Sequence, residues 1–239
     1  MNTAYSHPNL PIPTLFCRKI FIMMKSTRSP LASLSPIFYA LNGAAMTGWS
    51  YVLFLLLSQL APTLPSIPLS FDLSLVTPVV IWLECICVVE VLRTALGDLP
   101  GNLVLGVVLH AIRFIAVLFV VPSNPNSWIA GAVLLSWAFT EVARYPMYLF
   151  PSSETCRSIR MVVPLATFPV GAIAEGYGAY LLFSMEDTAS WLKAVLAGMI
   201  FVNGVLGPTM AYPALLKKGL PILGLGNKIK RGRSSKKRA

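Results

Sequence analysis

The chain has 239 residues, of which 56% are hydrophobic and only 12% are charged. A soluble domain of this length cannot bury so large an apolar fraction, so the composition excludes an ordinary soluble enzyme and predicts a protein surrounded by the lipid bilayer. The formal net charge is +10, and all nine acidic residues lie between Asp72 and Asp187 while basic residues crowd both ends. Beside an apolar body, this pattern is typical of the cytosolic face of a membrane protein, and we expect no nucleic-acid partner.

Residues 1–36 form a basic leader without an apolar stretch long enough for a cleavable signal peptide. Its serine-rich, acid-free composition is also typical of an organelle transit peptide, and this alternative stays open. Residues 217–239 form a basic tail that ends in Lys236-Lys237-Arg238-Ala239. Lysines third and fourth from a cytosolic C-terminus form a dilysine signal for retrieval to the endoplasmic reticulum, the alternative being a chance match in a basic tail.

Six segments of the intervening residues 37–216 are apolar and long enough, at 1.5 Å rise per residue, to cross a bilayer as helices. In chain order they are Ile37–Leu60, Leu75–Leu96, Leu103–Val121, Trp128–Leu149, Arg160–Phe183 and Leu192–Leu215. We therefore predict a single all-α domain, a polytopic membrane helix bundle with six transmembrane helices.

The distribution of Lys and Arg predicts the orientation of this bundle. If the N-terminus is cytosolic, the loops on the opposite side are residues 61–74, 122–127 and 184–191, and none of them contains Lys or Arg. The cytosolic side then receives the N-terminal basic cluster, Arg93, Arg157, Arg160 and the tail. Both termini are therefore predicted to be cytosolic.

Ionisable residues inside the predicted spans are expensive in lipid, so each needs an explanation. They are Glu84, Glu90, Arg93, His110, Arg113, Glu141, Arg144 and Glu175. Glu90 and Arg93 are spaced i,i+3, as are Glu141 and Arg144, so that each pair can neutralise itself on its own helix. Arg113 and Glu175 have no such partner, and each needs another helix, a water-filled cavity or a ligand.

Glu175 follows Pro169 and Gly171, and a proline removes a helical hydrogen bond and can kink the helix. A kink before a membrane-embedded carboxyl suits proton chemistry; the alternative is a glutamate that binds another helix for assembly alone. In the preceding span, Trp137, Glu141, Tyr145 and Tyr148 form one helical stripe, which either packs or lines a cavity. The four cysteines show no metal or disulfide framework and the second histidine, His7, lies in the leader, so we expect no metal and no cofactor.

Two ordered motifs stand out. The first is W-x3-E-x2-R-Y, made by Trp137, Glu141, Arg144 and Tyr145, and the second is P-x-G-x3-E, made by Pro169, Gly171 and Glu175. Less specific stretches precede them, including YALNGAAMTGWSYVLFLL, VVEVLRTALGDLP and VLHAIRFIAVLFVV. Together, these features resemble the very-long-chain 3-hydroxyacyl-CoA dehydratase family, also called protein-tyrosine-phosphatase-like membrane proteins.

The resemblance implies a carbon–oxygen lyase of the endoplasmic-reticulum membrane that acts in fatty-acid elongation. Such an enzyme removes water from a (3R)-3-hydroxyacyl-CoA to give the trans-2-enoyl-CoA, beside other elongation enzymes and without a metal or redox cofactor. The family's catalytic pair is a Tyr and a Glu seven residues apart. The Glu maps onto Glu175, whereas the Tyr position is occupied by Phe168, which has no hydroxyl to donate.

Other side chains could supply the missing donor or bind the rest of the acyl-CoA. The candidate donors are Tyr145, Tyr148 and His110, whereas Tyr177, two positions after Glu175, points to roughly the opposite side of the helix. Arg113 could hold the thioester oxygen or pair with Glu175. The acyl tail belongs on apolar helix surface, and the CoA phosphates belong at the predicted cytosolic face. The basic candidates for the phosphates are Arg93, Arg157, Arg160, Lys217 and Lys218.

Two further readings stay open. Because of Phe168, the chain could be a weak or inactive homologue that serves as an interaction component of the elongation complex. It could instead be a small transporter that uses Glu175 and Arg113 as a proton-coupled site. A transporter predicts inverted repeats or half-helices, and the sequence contains no convincing sign of either.

Overall fold

A computed structural model describes residues 35–63, 71–99, 101–124 and 128–225, and every regular element in these ranges is a helix. The predicted all-α class is confirmed. In chain order, the six long helices are α1 (Ser35–Thr63), α2 (Val76–Ala95), α3 (Leu103–Ser123), α4 (Trp128–Leu149), α5 (Glu154–Phe183) and α6 (Ser190–Gly219). His7, nearly all of the leader and the dilysine sequence lie outside the described residues.

Each long helix coincides with one predicted segment, and α4 has the predicted ends. The largest difference is at α5, which begins six residues before the predicted start at Arg160. The side chain of Ser153 explains the earlier start, because it accepts a hydrogen bond of 3.3 Å from the backbone N–H of Cys156 and so caps the helix. Glu154 in the first turn adds a favourable interaction with the helix dipole.

Four of these helices, α1, α3, α5 and α6, are long and apolar enough to cross a membrane. The outer faces of the bundle carry large exposed apolar side chains, among them Trp82, Ile173 and Met210. Such a surface is a liability in water, whereas the hydrocarbon of a bilayer solvates it. The protein is therefore a membrane protein.

The helices pack so that α4 lies near the centre. α4 contacts α1 and α5, α2 lies between α1 and α3, and α6 covers α5. The core contains Trp49 and Leu56 of α1, Leu134 and Tyr145 of α4, and Leu196 of α6. Polar side chains on α2, α3 and α4 are therefore directed toward one another inside the bundle.

Prolines and π-helical turns interrupt the regular hydrogen bonding of several helices, including α4 at Pro146. α3 contains a π-helical turn at Ala116–Val120, and α6 contains a longer one at Val202–Ala211. In α5, Pro169 has no N–H, so the carbonyl of Leu165 loses its helical partner. The hydroxyl of Tyr212 donates to that carbonyl at 3.2 Å, which fastens the end of α6 to α5.

Candidate active site

Arg113 joins three helices in the interior. Its Nη1 atom lies 2.9 Å from Oε1 of Glu84 on α2 and 2.7 Å from Oε1 of Glu141 on α4. All three side chains are buried. The sequence left three possibilities for Arg113, which were another helix, a water-filled cavity or a ligand, and the structure shows the first. Its partners are these two carboxylates and not Glu175.

Arg144 extends this network along α4. Its Nε lies 2.7 Å from Oε2 of Glu141, close enough for an ion pair although the atoms are not aligned for a hydrogen bond. A second carboxylate, that of Glu90, lies 3.4 Å from Nη1. The third nitrogen, Nη2, donates to the hydroxyl of Tyr145 at 3.1 Å and faces the sulfur of Cys87 at 3.5 Å.

The two ion pairs predicted at i,i+3 spacing have different outcomes. The Glu141–Arg144 pair is confirmed. The prediction of a Glu90–Arg93 pair is wrong. Arg93 pairs instead with Asp98, at 2.6 Å, in the turn after α2, and the Arg93 guanidinium lies over the ring of Phe38. The turn therefore provides Asp98 as the partner of Arg93, whereas Glu90 on α2 pairs with Arg144 on α4.

The carboxyl group of Glu175 has a different environment. It is buried, and its two oxygens each accept one hydrogen bond, from Nε1 of Trp137 at 2.6 Å and from Nδ2 of Asn203 at 3.2 Å. Both donors are neutral, and no ion pair of Glu175 is found among the described residues. Trp137 also contacts the charge network, since the guanidinium of Arg113 lies 5.0 Å from its ring centroid.

Local sequence explains why these donors reach Glu175. Gly171 lies one turn before Glu175, and a Cβ atom there would approach Oγ of Ser136 to 2.5 Å. The absence of a side chain therefore lets α5 approach α4 closely at the point where Trp137 follows Ser136. Asn203 lies in the π-helical segment of α6, and such segments are frequent at functional sites.

Phe168, at the family's tyrosine position, packs against a phenol that the sequence analysis missed. Its ring stacks on Tyr212 with 6.1 Å between centroids. The hydroxyl of Tyr212 is bound to the carbonyl of Leu165, and Leu165 and Glu175 are ten residues apart, about 15 Å along the helix. Tyr212 therefore does not replace the missing donor beside Glu175.

None of the predicted substitute donors contacts Glu175 either. The hydroxyl of Tyr145 bonds to Arg144 and lies 3.3 Å from Cys87, and Nδ1 of His110 lies 2.9 Å from Oε2 of Glu84. Tyr148 packs edge-on against Tyr145, and Tyr177 stacks on Trp128. The donors that do reach Glu175 are Trp137 and Asn203, and a single sequence contains no signal for the second.

A cavity of about 340 Å³ opens where α2 and α4 end and where α3 and α5 begin. Its polar lining includes Glu90, Asn102, His110, Arg144, Tyr148 and Arg160. Glu175 and Phe168 are not part of this lining, so the cavity and the carboxyl are separate features. By the predicted orientation, the cavity faces the cytosol.

The basic residues proposed for the CoA phosphates gather at this same end of the bundle. Arg157 and Arg160 lie in the first turns of α5, and Lys217 and Lys218 lie in the last turn of α6. The two helices meet there, because Gly219 lies against Met161 and Leu165. Arg160 lines the cavity, whereas Arg93 is already paired with Asp98.

One cluster has the ligand types of a metal site. Oxygen, sulfur and nitrogen atoms of Glu84, Cys87 and His110 all lie within 4.8 Å of one another, and the three residues are buried. The E-x-x-C spacing of Glu84 and Cys87 places both residues on one face of α2. This spacing was a signal in the sequence that the comparison of Cys87 with Cys85 did not include. Cys87 also has C-x5-R spacing to Arg93, but both lie in the continuous helix α2, not in a phosphate-binding loop.

Residues 84–217 match the family described as protein tyrosine phosphatase-like protein, PTPLA. The match covers more than half of the chain and extends from α2 to the end of α6. The chain belongs to this family. It is the family of the very-long-chain 3-hydroxyacyl-CoA dehydratases, so the resemblance identified from the sequence motifs is confirmed. No solved structure matches the chain.

At the level of the family, this membership connects the protein with the dehydratase step of very-long-chain fatty-acid elongation. The matched residues include the whole Arg113 network and Glu175 with both of its donors. The family match and the buried carboxyl therefore coincide in one part of the chain.

Replacing Arg113 tests the charge network. Arg113→Met keeps the length and apolar stem of the side chain but leaves Glu84 and Glu141 without their shared partner. We expect a loss of about 3–5 kcal/mol of folding free energy, because unpaired buried carboxylates are left behind. Thermal melting of the purified protein in detergent measures this loss. Arg157→Met is the matched control, since Arg157 bonds only to the carbonyl of Pro151 at the surface, and equal melting temperatures for the two variants would contradict the account.

Proposed function

We propose that the protein catalyses the dehydration of a very-long-chain (3R)-3-hydroxyacyl-CoA to the trans-2-enoyl-CoA. The observation that carries this proposal is the environment of Glu175, a buried carboxyl that has neutral hydrogen-bond donors and no counter-charge in contact. Arg113, which could have neutralised it, is engaged by Glu84 and Glu141. Glu175 is thus free to exchange a proton with a substrate.

The elimination requires two proton transfers. The Glu175 carboxylate takes a proton from C2 of the acyl chain, and the electron pair of the broken C–H bond forms the C2–C3 double bond. The C3–O bond breaks, and the hydroxyl leaves as water after it receives a proton. Glu175 returns its proton to that hydroxyl, so the carboxylate is regenerated without a cofactor.

Trp137 and Asn203 support this role by fixing the carboxylate. Because each holds one oxygen, the lone pairs that remain have a defined direction toward the substrate. The two donors act on Glu175 and do not replace the family's phenol, which Phe168 lacks. Losing one proton donor typically lowers a rate about 10²–10⁴-fold, so we expect a slow enzyme.

The cavity and the basic residues around it support a site for the polar end of the substrate. Arg160 lines the cavity, and Arg157, Lys217 and Lys218 lie at the same end of the bundle. Arg160 and Glu175 are fifteen residues apart on α5, or about 22 Å along the helix. CoA carries its thioester on a long flexible arm, so phosphates at one end are compatible with chemistry deeper in the bundle.

The membrane setting completes the proposal. The six helices cross the membrane with both termini in the cytosol, and α2 and α4 are tolerated as spans because their charges pair inside the bundle. The family's role in fatty-acid elongation supports the endoplasmic-reticulum membrane as its location, where other elongation enzymes would supply and consume its acyl-CoA.

Removing the proposed base tests the reaction. In purified protein given a long-chain (3R)-3-hydroxyacyl-CoA, Glu175→Gln keeps the size of the side chain but cannot take a proton, and we expect at least a 100-fold loss of enoyl-CoA formation. Mass spectrometry of the product measures the rate. Glu154→Gln, at the exposed start of α5, is the matched control and should retain the parent rate. Equal rates for Glu175→Gln and the parent would exclude Glu175 as the base.

Restoring the phenol tests the importance of position 168. Phe168→Tyr adds one hydroxyl at the ring carbon that faces Gly207 and so restores the family's phenol at this position. We expect dehydration to become at least about tenfold faster, because a phenol can donate a proton and a phenyl ring cannot. Phe183→Tyr, at the other end of α5, controls for an added phenol and should leave the rate unchanged.

The same comparison addresses a second function, that of an inactive component of the elongation complex. Phe168 favours this alternative because it removes a catalytic group while keeping the ring stacked on Tyr212. No product from the parent, together with activity in Phe168→Tyr, would support the inactive component. No product from either protein would contradict a dehydratase altogether.

A further inference from the structure

We propose that Glu84, Cys87 and His110 form a buried site for a thiophilic divalent cation, with zinc as the natural candidate. Glu84 and Cys87 lie three residues apart on α2, and His110 faces them from α3. A carboxylate, a thiolate and an imidazole are all ligands that zinc accepts. The site is distinct from Glu175 and does not depend on the proposed dehydratase activity.

The distances suit coordination by one ion. The ligand atoms lie within 4.8 Å of one another, and Nδ1 of His110 is already 2.9 Å from Oε2 of Glu84. Around a tetrahedral zinc ion, with bonds of about 2.0–2.3 Å, neighbouring ligands lie about 3.5 Å apart. Small side-chain rotations therefore suffice, and the ion takes the place of the Glu84–His110 hydrogen bond.

The sulfur of Cys87 has two polar neighbours besides the other proposed ligands. The guanidinium of Arg144 and the hydroxyl of Tyr145 lie 3.5 and 3.3 Å from it. Both groups would orient the sulfur from outside the coordination shell of a bound ion. Arg113 occupies only Oε1 of Glu84 and leaves Oε2 for the ion.

The surroundings of the proposed site are rich in carboxylates. Glu84, Glu90 and Glu141 lie around the guanidiniums of Arg113 and Arg144, and the imidazole of His110 lies 2.9 Å from Glu84. A divalent cation held by Glu84 and His110 would add positive charge to this interior, where unpaired carboxylates are costly.

Three protein ligands leave one position of a tetrahedral ion open, as in zinc sites that bind water or a small ligand. His110 also lines the cavity at the end of the bundle, so this side chain lies between the proposed metal site and the cavity. The cavity gives the ion an entry path, and a water molecule or small anion from the cavity would fill the fourth position.

Cobalt binding tests the site in the full-length protein, purified in detergent through a tag without histidine. Titration with Co²⁺ should give one equivalent bound and an intense sulfur-to-cobalt absorption, and Zn²⁺ should displace the cobalt. Cys87→Ser should abolish the absorption, and His110→Gln should weaken Co²⁺ binding at least tenfold. Cys85→Ser is the matched control, because Cys85 lies on the same helix but is exposed, and it should bind like the parent.

Three results would overturn the proposal: no Co²⁺ uptake by the parent, an absorption that persists in Cys87→Ser, or an equal loss in Cys85→Ser. A thermal-shift measurement keeps the test decisive if Cys87→Ser folds poorly. Zn²⁺ should raise the melting temperature of the parent and of Cys85→Ser but not that of His110→Gln. Equal shifts in all three proteins would also count against the site.

Discussion

The shared ion pair of Arg113 is the interaction on which the rest of the bundle depends. One guanidinium nitrogen holds a carboxylate from α2 and another from α4, so three helices are fixed by contacts that neither lipid nor water can replace. At the surface of a soluble protein, water would compete with the carboxylates for the guanidinium. In a membrane, an unpaired charge is so costly that the need to pair it determines which helix faces meet. Arg144 continues the network to Glu90, and the polar faces of α2, α3 and α4 are thereby turned inward.

The same network explains why Glu175 remains available for chemistry. Both arginines of the interior are engaged by carboxylates of α2 and α4, and Glu175 is left with an indole and an amide as partners. The indole of Trp137 lies between the two regions, because Arg113 packs over its ring while its N–H holds Glu175. The ion pairs of Arg113 and the proposed catalytic carboxyl of Glu175 are thus adjacent but not directly bonded. We expect a substitution in the ion-pair network to alter the position of Glu175 by moving Trp137.

Much of the fold could be predicted from the sequence, because apolar segments of membrane length leave few alternatives to helices. The Glu141–Arg144 pair was predictable from its spacing alone. The partners of Arg93 and Arg113 were not, since one depends on a turn after α2 and the other on which helices are neighbours. Asn203 carries no sequence signal, because its position depends on a π-helical segment of α6. Glu175 was found through its motif, but its two donors come from other helices.

The most direct measurement follows the C2 proton in the reverse reaction. When the protein hydrates a long-chain trans-2-enoyl-CoA in D₂O, the base that acts at C2 must deliver one deuteron to that carbon. The account predicts one deuterium at C2 in the product of the parent protein and none above background with Glu175→Gln, as read by mass spectrometry of the acyl chain. Deuterium incorporated at the parent rate by Glu175→Gln would contradict the central claim that Glu175 carries this proton.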